Sequence, residues 1–539
     1  MKKRKNAESA LRLRRDGSLP SLLMACVGAS IGSGWLFCPF YAAQMAGPYA
    51  IGSWIIGIVA ILLLSVVFAE LGPLIPKAGA VVHLANVGNG PIVGNLWSWV
   101  LFLSYATIAP IEVTAMLTYA NNYIPIFLIP HTNVVSTEGF WISVLVLAFF
   151  IVLNFMTVLW IFRINSGATL WKIFVPMLTA GVLLVSGFHP GNFRTGLSHV
   201  PASFPGMFAA VATSGVIFSL LGFRHAIDLA GESRNPRRDI PLATIGSVLI
   251  AGAIYLILQV AFIGAVSPAD LAHTGWAHLS FPGINGPFAA LAAAVGAAWL
   301  SVVLYLDAFI SPAGAALIYT ATGARVTLAT AGTGAFPKIL ARVNRFGVPW
   351  AGLILLYLTG VLVFLPFPSW QKMVGYIASM TVLSYIIGPV ALIQLRKAMP
   401  TLERPFTLPM AGAVAPAAFV SGSWIIFWSG VATLNFMFGT LFAILCLYAL
   451  WGIIRREPLR SMGWQYMWWI IPYFLVLWIA AWLGPGKFGG LGIITLPDGM
   501  VLVALAGLLI FRWAVRSSVS DDSIRMYMRS LRSSEAGAP

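Results

Sequence analysis

Charge is what this chain has least of. Only 9% of its 539 residues are Asp, Glu, Lys or Arg, against about 25% in soluble domains. That excludes an ordinary soluble fold, and with 59% of residues hydrophobic the chain reads as an all-α polytopic membrane protein. Cysteine is nearly absent too. Cys26, Cys38 and Cys446 all lie in apolar segments, where they are expected to pack as small side chains, and nothing around them supports a disulfide or a metal site. No Gly-rich segment follows a strand, so nucleotide loops are excluded and no cofactor is implied. A cleavable leader is not expected, because the first apolar stretch is too long and lacks a small-residue cleavage pattern. Acidic residues are the scarcer sign, 16 against 32 Lys and Arg, for a net charge of +16. Topology accounts for that excess better than nucleic acid does.

Apolar windows of roughly 20 residues predict about fourteen spans. They fall near 20–45, 48–72, 93–121, 139–161, 168–188, 207–231, 241–266, 288–324, 347–366, 371–396, 412–432, 434–454, 466–485 and 497–515. Lys and Arg cluster in the N-terminal tail and in alternate loops, around Lys77, Arg163, Arg234 to Arg238, Arg325 to Arg345, Arg396 to Arg404 and Arg455 to Arg460, then from Arg512 to Arg532. The opposite loops hold little beyond Arg194, Lys372 and Lys487. An even span count with both termini cytoplasmic fits this asymmetry. Segments 121–138 and 267–287 are short extracellular loops, too short to bury a core. From Ser517 onward the chain is polar and is expected to be partly disordered.

Two spans are interrupted. Cys26 to Tyr41 reads CVGASIGSGWLFCPFY, with Gly32-Ser33-Gly34 in its middle. A bilayer offers no water to unpaired amides, so such a break is tolerated only against protein or a cavity, where the freed helix start can hold an anion. The sixth span carries a counterpart, FSLLGFRH from Phe218 to His225. Breaks five spans apart are the pattern of a five-span inverted repeat around a midplane substrate site. Glycines that merely allow close helix packing are the competing explanation.

The motifs GASIGSGW (28–35), FAELGPLIPKAGAVVHL (68–84), GFRHAIDLAGESRNPRRDIP (222–241), GARVTLATAGTGAFPKILARVNRFGVP (323–349) and LRKAMPTLERPFTLP (395–409) follow one another in order. In this the chain resembles the amino acid–polyamine–organocation superfamily of permeases over roughly residues 18–410. The resemblance implies a LeuT-like core with spans 1–5 and 6–10 as inverted repeats, discontinuous helices 1 and 6, and alternating access. It divides the chain into a basic tail (1–17), the core (18–410), four additional spans (411–516) and a C-terminal tail (517–539). Carried over by position, the amides of Ser33 and Gly34 would receive a substrate α-carboxylate. Carbonyls near Ser30, Phe218 and Leu221 would accept its α-ammonium, and Phe218 stands where relatives place an aromatic gate. The implied substrate set is Ser30, Gly32, Ser33, Gly34, Phe218, Ser219, Leu221, Gly222 and Arg224.

Charges within spans need a partner or a wet cavity. Lys172, in NSGATLWKIFVP (165–176), stands where several relatives couple to protons; snorkelling to the cytoplasmic interface is the alternative. Arg224 departs from the family pattern, which has a non-basic residue after the Gly-aromatic pair. A guanidinium stays charged and forks onto carboxylates, so Arg224 suits the second carboxylate of aspartate or glutamate. With GSGW and DAFISP (307–312), it makes the chain look most like the aspartate–proton symporter branch. An internal ion pair with Glu112 or Asp307 is the other reading. Glu112 and Asp307 are the deep acids; either is a candidate proton carrier, cation partner or substrate ligand. Glu70, Asp228 and Glu232 are expected to pair with Lys77 and the 234–238 arginines. His225 is expected to point away from Arg224 on a continuous helix, and His273 and His278 share no metal spacing.

Three functions are consistent with these residues: a proton-coupled importer of an acidic amino acid in a bacterial inner membrane, the same fold moving a neutral amino acid or amine by symport or exchange, and a non-transport role. An enzyme lacks a nucleophile–base pair within the spans, and a receptor lacks a soluble sensing domain. Small-molecule substrate, protons and the bilayer are the expected partners. Oligomeric state is not legible.

Overall fold

The computed structural model describes residues 17–75, 77, 79–130, 132–155, 158–194, 203–281, 285–365, 369–454 and 463–536. The N-terminal basic run, the side chains of Arg163 and Glu232, and the 455–460 arginines fall outside the described residues. Among the described residues the chain is helical, with no strand beyond two isolated bridges. Long runs of Leu, Ile, Val and Phe without water to compete make the helix the one conformation that satisfies its own amides.

Each predicted span falls on helix. Among the described residues ten helical stretches are long and apolar enough to cross a membrane, or eleven if the bent pair Phe204–Thr213 and Phe218–Asp228 counts as one span. Two of them, Gly34–Leu74 and Ala80–Ala120, run 41 residues each. That is about 60 Å of helix, twice a hydrocarbon core. Three further apolar helices, Leu19–Ser30, Trp350–Val363 and Ile470–Leu483, are shorter than a full span. Stripes of exposed apolar side chains, such as Trp141, Leu145, Phe149 and Val152 on helix Thr137–Asn154, lie one turn apart. They form the face a lipid tail would cover, so the chain is an integral membrane protein.

The first span is broken as expected. Helix Leu19–Ser30 stops, Ile31 to Ser33 leave the helical path, and helix Gly34–Ala46 begins. The sixth bends by 46° between Thr213 and Phe218, with Gly215 at φ +108° where a side chain would be strained. Phe218–Arg224 then runs as a 3-10 helix rather than an α-helix. Helix Pro236–Ala265 packs on the first two spans: Gln259 donates to the Pro39 carbonyl of the first at 3.1 Å, and Tyr255 stacks on Trp54 of the second at 4.7 Å.

Several expectations change. Cys26 and Cys38 are buried, but Cys446 is exposed on the outer helix Val431–Ile454. After Ser517 the polar segment holds a helix, Asp521–Ala536, whose Tyr527 meets His83 Nδ1 at 3.1 Å and whose Arg525 donates to the Ala398 carbonyl at 2.9 Å. An amphipathic sequence that finds a docking face gains order its composition alone does not signal. Glu70 is fully buried, and among the described residues it pairs with Arg396 and Arg404 rather than the 234–238 arginines. It accepts from Arg396 Nε at 3.0 Å and from the Leu408 amide at 2.7 Å. The two arginines in turn hold carbonyls of residues 399–408. Glu70→Ala leaves this cationic pair without its buried acid. We expect a loss of about 3–5 kcal/mol of stability, read as a lowered unfolding temperature in detergent; an unchanged midpoint would make the cluster dispensable.

Candidate functional site

The break in the first span is held by two charged side chains from other helices. Lys172, on helix Val158–Ser186, donates from Nζ to the Gly28 carbonyl at 2.8 Å, in the last turn of the first half-helix. Glu112, on helix Ile108–Ala120, accepts through Oε2 from the Ser33 amide at 2.8 Å, at the start of the second half-helix. A helix end carries negative and a helix start positive partial charge, so cation and anion each stand where the dipole favours them. Lys172 is fully buried, which removes the snorkelling alternative. The amide expected to receive a substrate carboxylate already carries one from the protein.

The neighbouring groups are similarly engaged. The Ser30 carbonyl accepts from the Tyr255 hydroxyl at 2.9 Å, and Trp370 Nε1 donates to Ser33 Oγ at 2.8 Å. A side chain at Gly32 would run into the Glu112 carboxylate. One at Gly34 would strike Ser219 Oγ, and one at Gly222 would strike the Cys26 carbonyl and Ser30. These glycines therefore do allow close packing, and what they bring together is the two broken segments. Ser219 Oγ lies in this contact fully buried and without a hydrogen-bond partner. Phe218 meets Trp370 edge-on at 6.2 Å, and Leu221 lies fully buried within the 3-10 segment.

Asp307 is saturated. Its Oδ1 accepts from Trp171 Nε1 at 2.8 Å and from Ser311 Oγ at 2.7 Å, while Oδ2 accepts from Trp35 Nε1 at 3.0 Å. Arg224 pairs with neither Glu112 nor Asp307 among the described residues. Its Nη1 donates to Ser104 Oγ at 2.8 Å, its guanidinium carbon stands 3.7 Å from the Tyr105 ring centre and 5.1 Å from that of Tyr319, and its Nε has no hydrogen-bond partner. Asp228 is reached only through Tyr105, whose hydroxyl donates to it. His225 does not point away. It begins the short helix His225–Asp228, and its ring also lies against Tyr319, at 4.5 Å.

A cavity of about 890 Å³ opens toward loops 121–138 and 267–287, lined by Asn121, Asn122, Phe281 and Gln371 and floored by Phe37 and Tyr41. Trp370 stacks on Tyr41 at 5.7 Å and on Phe37 at 5.0 Å. The aromatic floor thus separates this vestibule from Ser33. Trp370, Tyr255, Ser104 and Tyr105 went unnoticed in the sequence, since in a chain with 20 Trp and 15 Tyr no periodicity singles them out. Among the described residues no three His, Cys, Asp or Glu side chains gather as a metal would need.

The family model for amino acid permeases matches residues 18–485. The chain is 35% identical over 519 residues to the glutamate/serine transporter AimA of Bacillus subtilis (strain 168), covering 95% of each chain. It is 33% identical over 515 residues to the aspartate-proton symporter of the same organism, covering 95% of this chain and 98% of that one. A solved manganese transporter of Eremococcus coleocola shares the fold, with a TM-score of 0.50 and 12% identity over 94% of this chain and 95% of that one. With broken helices around a buried site and relatives that are transporters rather than enzymes, the chain belongs to the amino acid permeases of the amino acid–polyamine–organocation superfamily.

Proposed function

We propose that this permease imports an acidic amino acid by proton symport, from a core of two inverted five-span repeats (18–410) followed by four further spans (411–516), fourteen in all. Both termini face the cytoplasm of a bacterial inner membrane, with the vestibule on the outside. Arg224 carries the acidic-substrate reading. It is a permanent charge, wholly buried, touching no carboxylate and keeping an unpartnered Nε. It lies two residues from Gly222, whose α-carbon abuts Ser30. The names of the glutamate/serine and aspartate-proton relatives support the same substrate class.

Substrate enters the vestibule and Trp370 leaves Ser33. The α-carboxylate takes the Ser33 amide from Glu112 and the Gly34 amide beside it, and carbonyls at Ser30, Phe218 and Leu221 take the α-ammonium. The substrate's second carboxylate engages the Arg224 fork. Glu112, displaced from its amide, would be an unpaired charge in a dry interior, which is the costly form. It takes a proton from the outer side and returns it inside when substrate leaves. Asp307, held by three donors, is the least free to exchange a proton; Lys172 holds the first half-helix and completes the relay.

Main-chain groups grip only the part common to all amino acids, and one relative is a glutamate/serine transporter. A neutral amino acid, by symport or exchange, is therefore the second reading; a cationic amine is disfavoured by Arg224. Uptake of radiolabelled aspartate, glutamate and serine into proteoliposomes, with and without an inward proton gradient, separates them. Gradient-driven accumulation of the acids is expected. Serine accumulating alone would replace the acidic reading, and uptake only into preloaded vesicles would replace symport by exchange. Lys172→Ala is expected to cut gradient-driven accumulation to the level seen without a gradient. An intact pH dependence would remove Lys172 from the relay and leave the proton to Glu112 or Asp307 alone.

A further inference from the structure

Helices Ala411–Trp428 and Leu496–Arg516 run antiparallel, tied at one end by Trp424 Nε1 donating to the Met500 carbonyl at 2.9 Å. Toward their other end they part. A groove of about 820 Å³ opens there on the outer surface, with Pro416, Ala417, Leu508 and Phe511 among its apolar walls. Arg512 and Arg516 line it as well, beside Gly412 and Ala413 at the start of the first helix. The two arginines are four apart, so they share one face of their helix, and both are exposed. Neither is paired with an acid among the described residues.

We propose that this groove is a binding site for one anionic phospholipid, with an acyl chain along the apolar walls and the headgroup phosphate between Arg512 and Arg516. The charge pattern argues for that occupant over a zwitterionic lipid or a second protein surface. Away from the arginines the lining is mostly apolar, and its only charged residues are two cations at one end, where a headgroup would lie. Guanidinium forks bind phosphate oxygens in pairs of hydrogen bonds, so two of them on one face make a fixed receptor. The uncapped start of helix Ala411–Trp428 adds its positive end to the same corner. The inference is independent of the substrate assignment, because no residue of the groove is among those assigned to substrate or proton.

Native mass spectrometry of the full chain, released from mild detergent with phosphatidylglycerol or phosphatidylcholine, tests it. One phosphatidylglycerol should be retained per chain, and Arg512→Gln/Arg516→Gln should weaken retention at least tenfold. Ala417→Trp, which fills the groove and leaves both arginines, should weaken it comparably. Equal retention of phosphatidylcholine, or full retention by the double variant, would overturn the proposal. So would equal thermal stabilisation by inorganic phosphate, which would make the site one for free anions. A dimer mass that disappears in Ala417→Trp would make the groove an interface between copies of this chain.

Discussion

Glu112→Gln is expected to make accumulation of aspartate indifferent to the proton gradient. The glutamine amide oxygen can accept the Ser33 amide where Glu112 Oε2 now does, at 2.8 Å, so the second half-helix keeps its partner. What disappears is a group that must gain a proton when a substrate carboxylate displaces it. With one proton per substrate anion, transport moves no net charge. One pH unit then corresponds to about 1.4 kcal/mol, or about tenfold accumulation. Proteoliposomes carrying the variant should lose that factor while still exchanging internal for external aspartate. Full gradient-driven accumulation by the variant would remove Glu112 from the proton step and leave it as a clamp on the helix start.

Arg224→Leu is expected to weaken acidic-substrate binding by two to three orders of magnitude, since leaving a buried charge unpaired costs about 3–5 kcal/mol at 1.4 kcal/mol per tenfold. The loss should be selective: serine, which offers no second carboxylate, should bind the variant much as before. That selectivity separates a substrate contact from a structural one. Arg224 also touches Ser104 and faces Tyr105 and Tyr319, so a variant that merely loosens the core would lose both substrates. Arg224→Lys keeps the charge but not the fork, and should fall between the two. Unchanged aspartate affinity in Arg224→Leu would refute the contact and leave the arginine as the partner of its tyrosines.

Local composition carried much of this architecture. Hydropathy placed helices because a bilayer core leaves the backbone no other way to bond itself. Gly32-Ser33-Gly34 marked the first break because only small residues tolerate a non-helical path where another segment presses close. Asp307 and Ser311 stand one turn apart on one helix, and their hydrogen bond follows from that local periodicity. Family and class were equally legible, because five motifs in order lie along the chain itself.

The partners of the charges were another matter. Glu112 meets Ser33 across 79 positions of sequence and Lys172 meets Gly28 across 144. Trp370 reaches Ser33 across 337. Arg224, for which an ion pair with Glu112 or Asp307 was the alternative to a substrate contact, lies against Ser104 and two tyrosine rings, and Glu70 took Arg396 and Arg404 over nearer arginines in sequence. His225 packs against the same aromatic pair, which comes from distant helices. Composition and periodicity thus determined by themselves that the chain is a helical membrane protein and where its helices break, and the ordered motifs carried its resemblance to permeases. Tertiary structure alone decided which buried charge faces which helix end, because a low-dielectric interior forces every charged group to find a partner, and only the packing of distant helices determines which one is in reach.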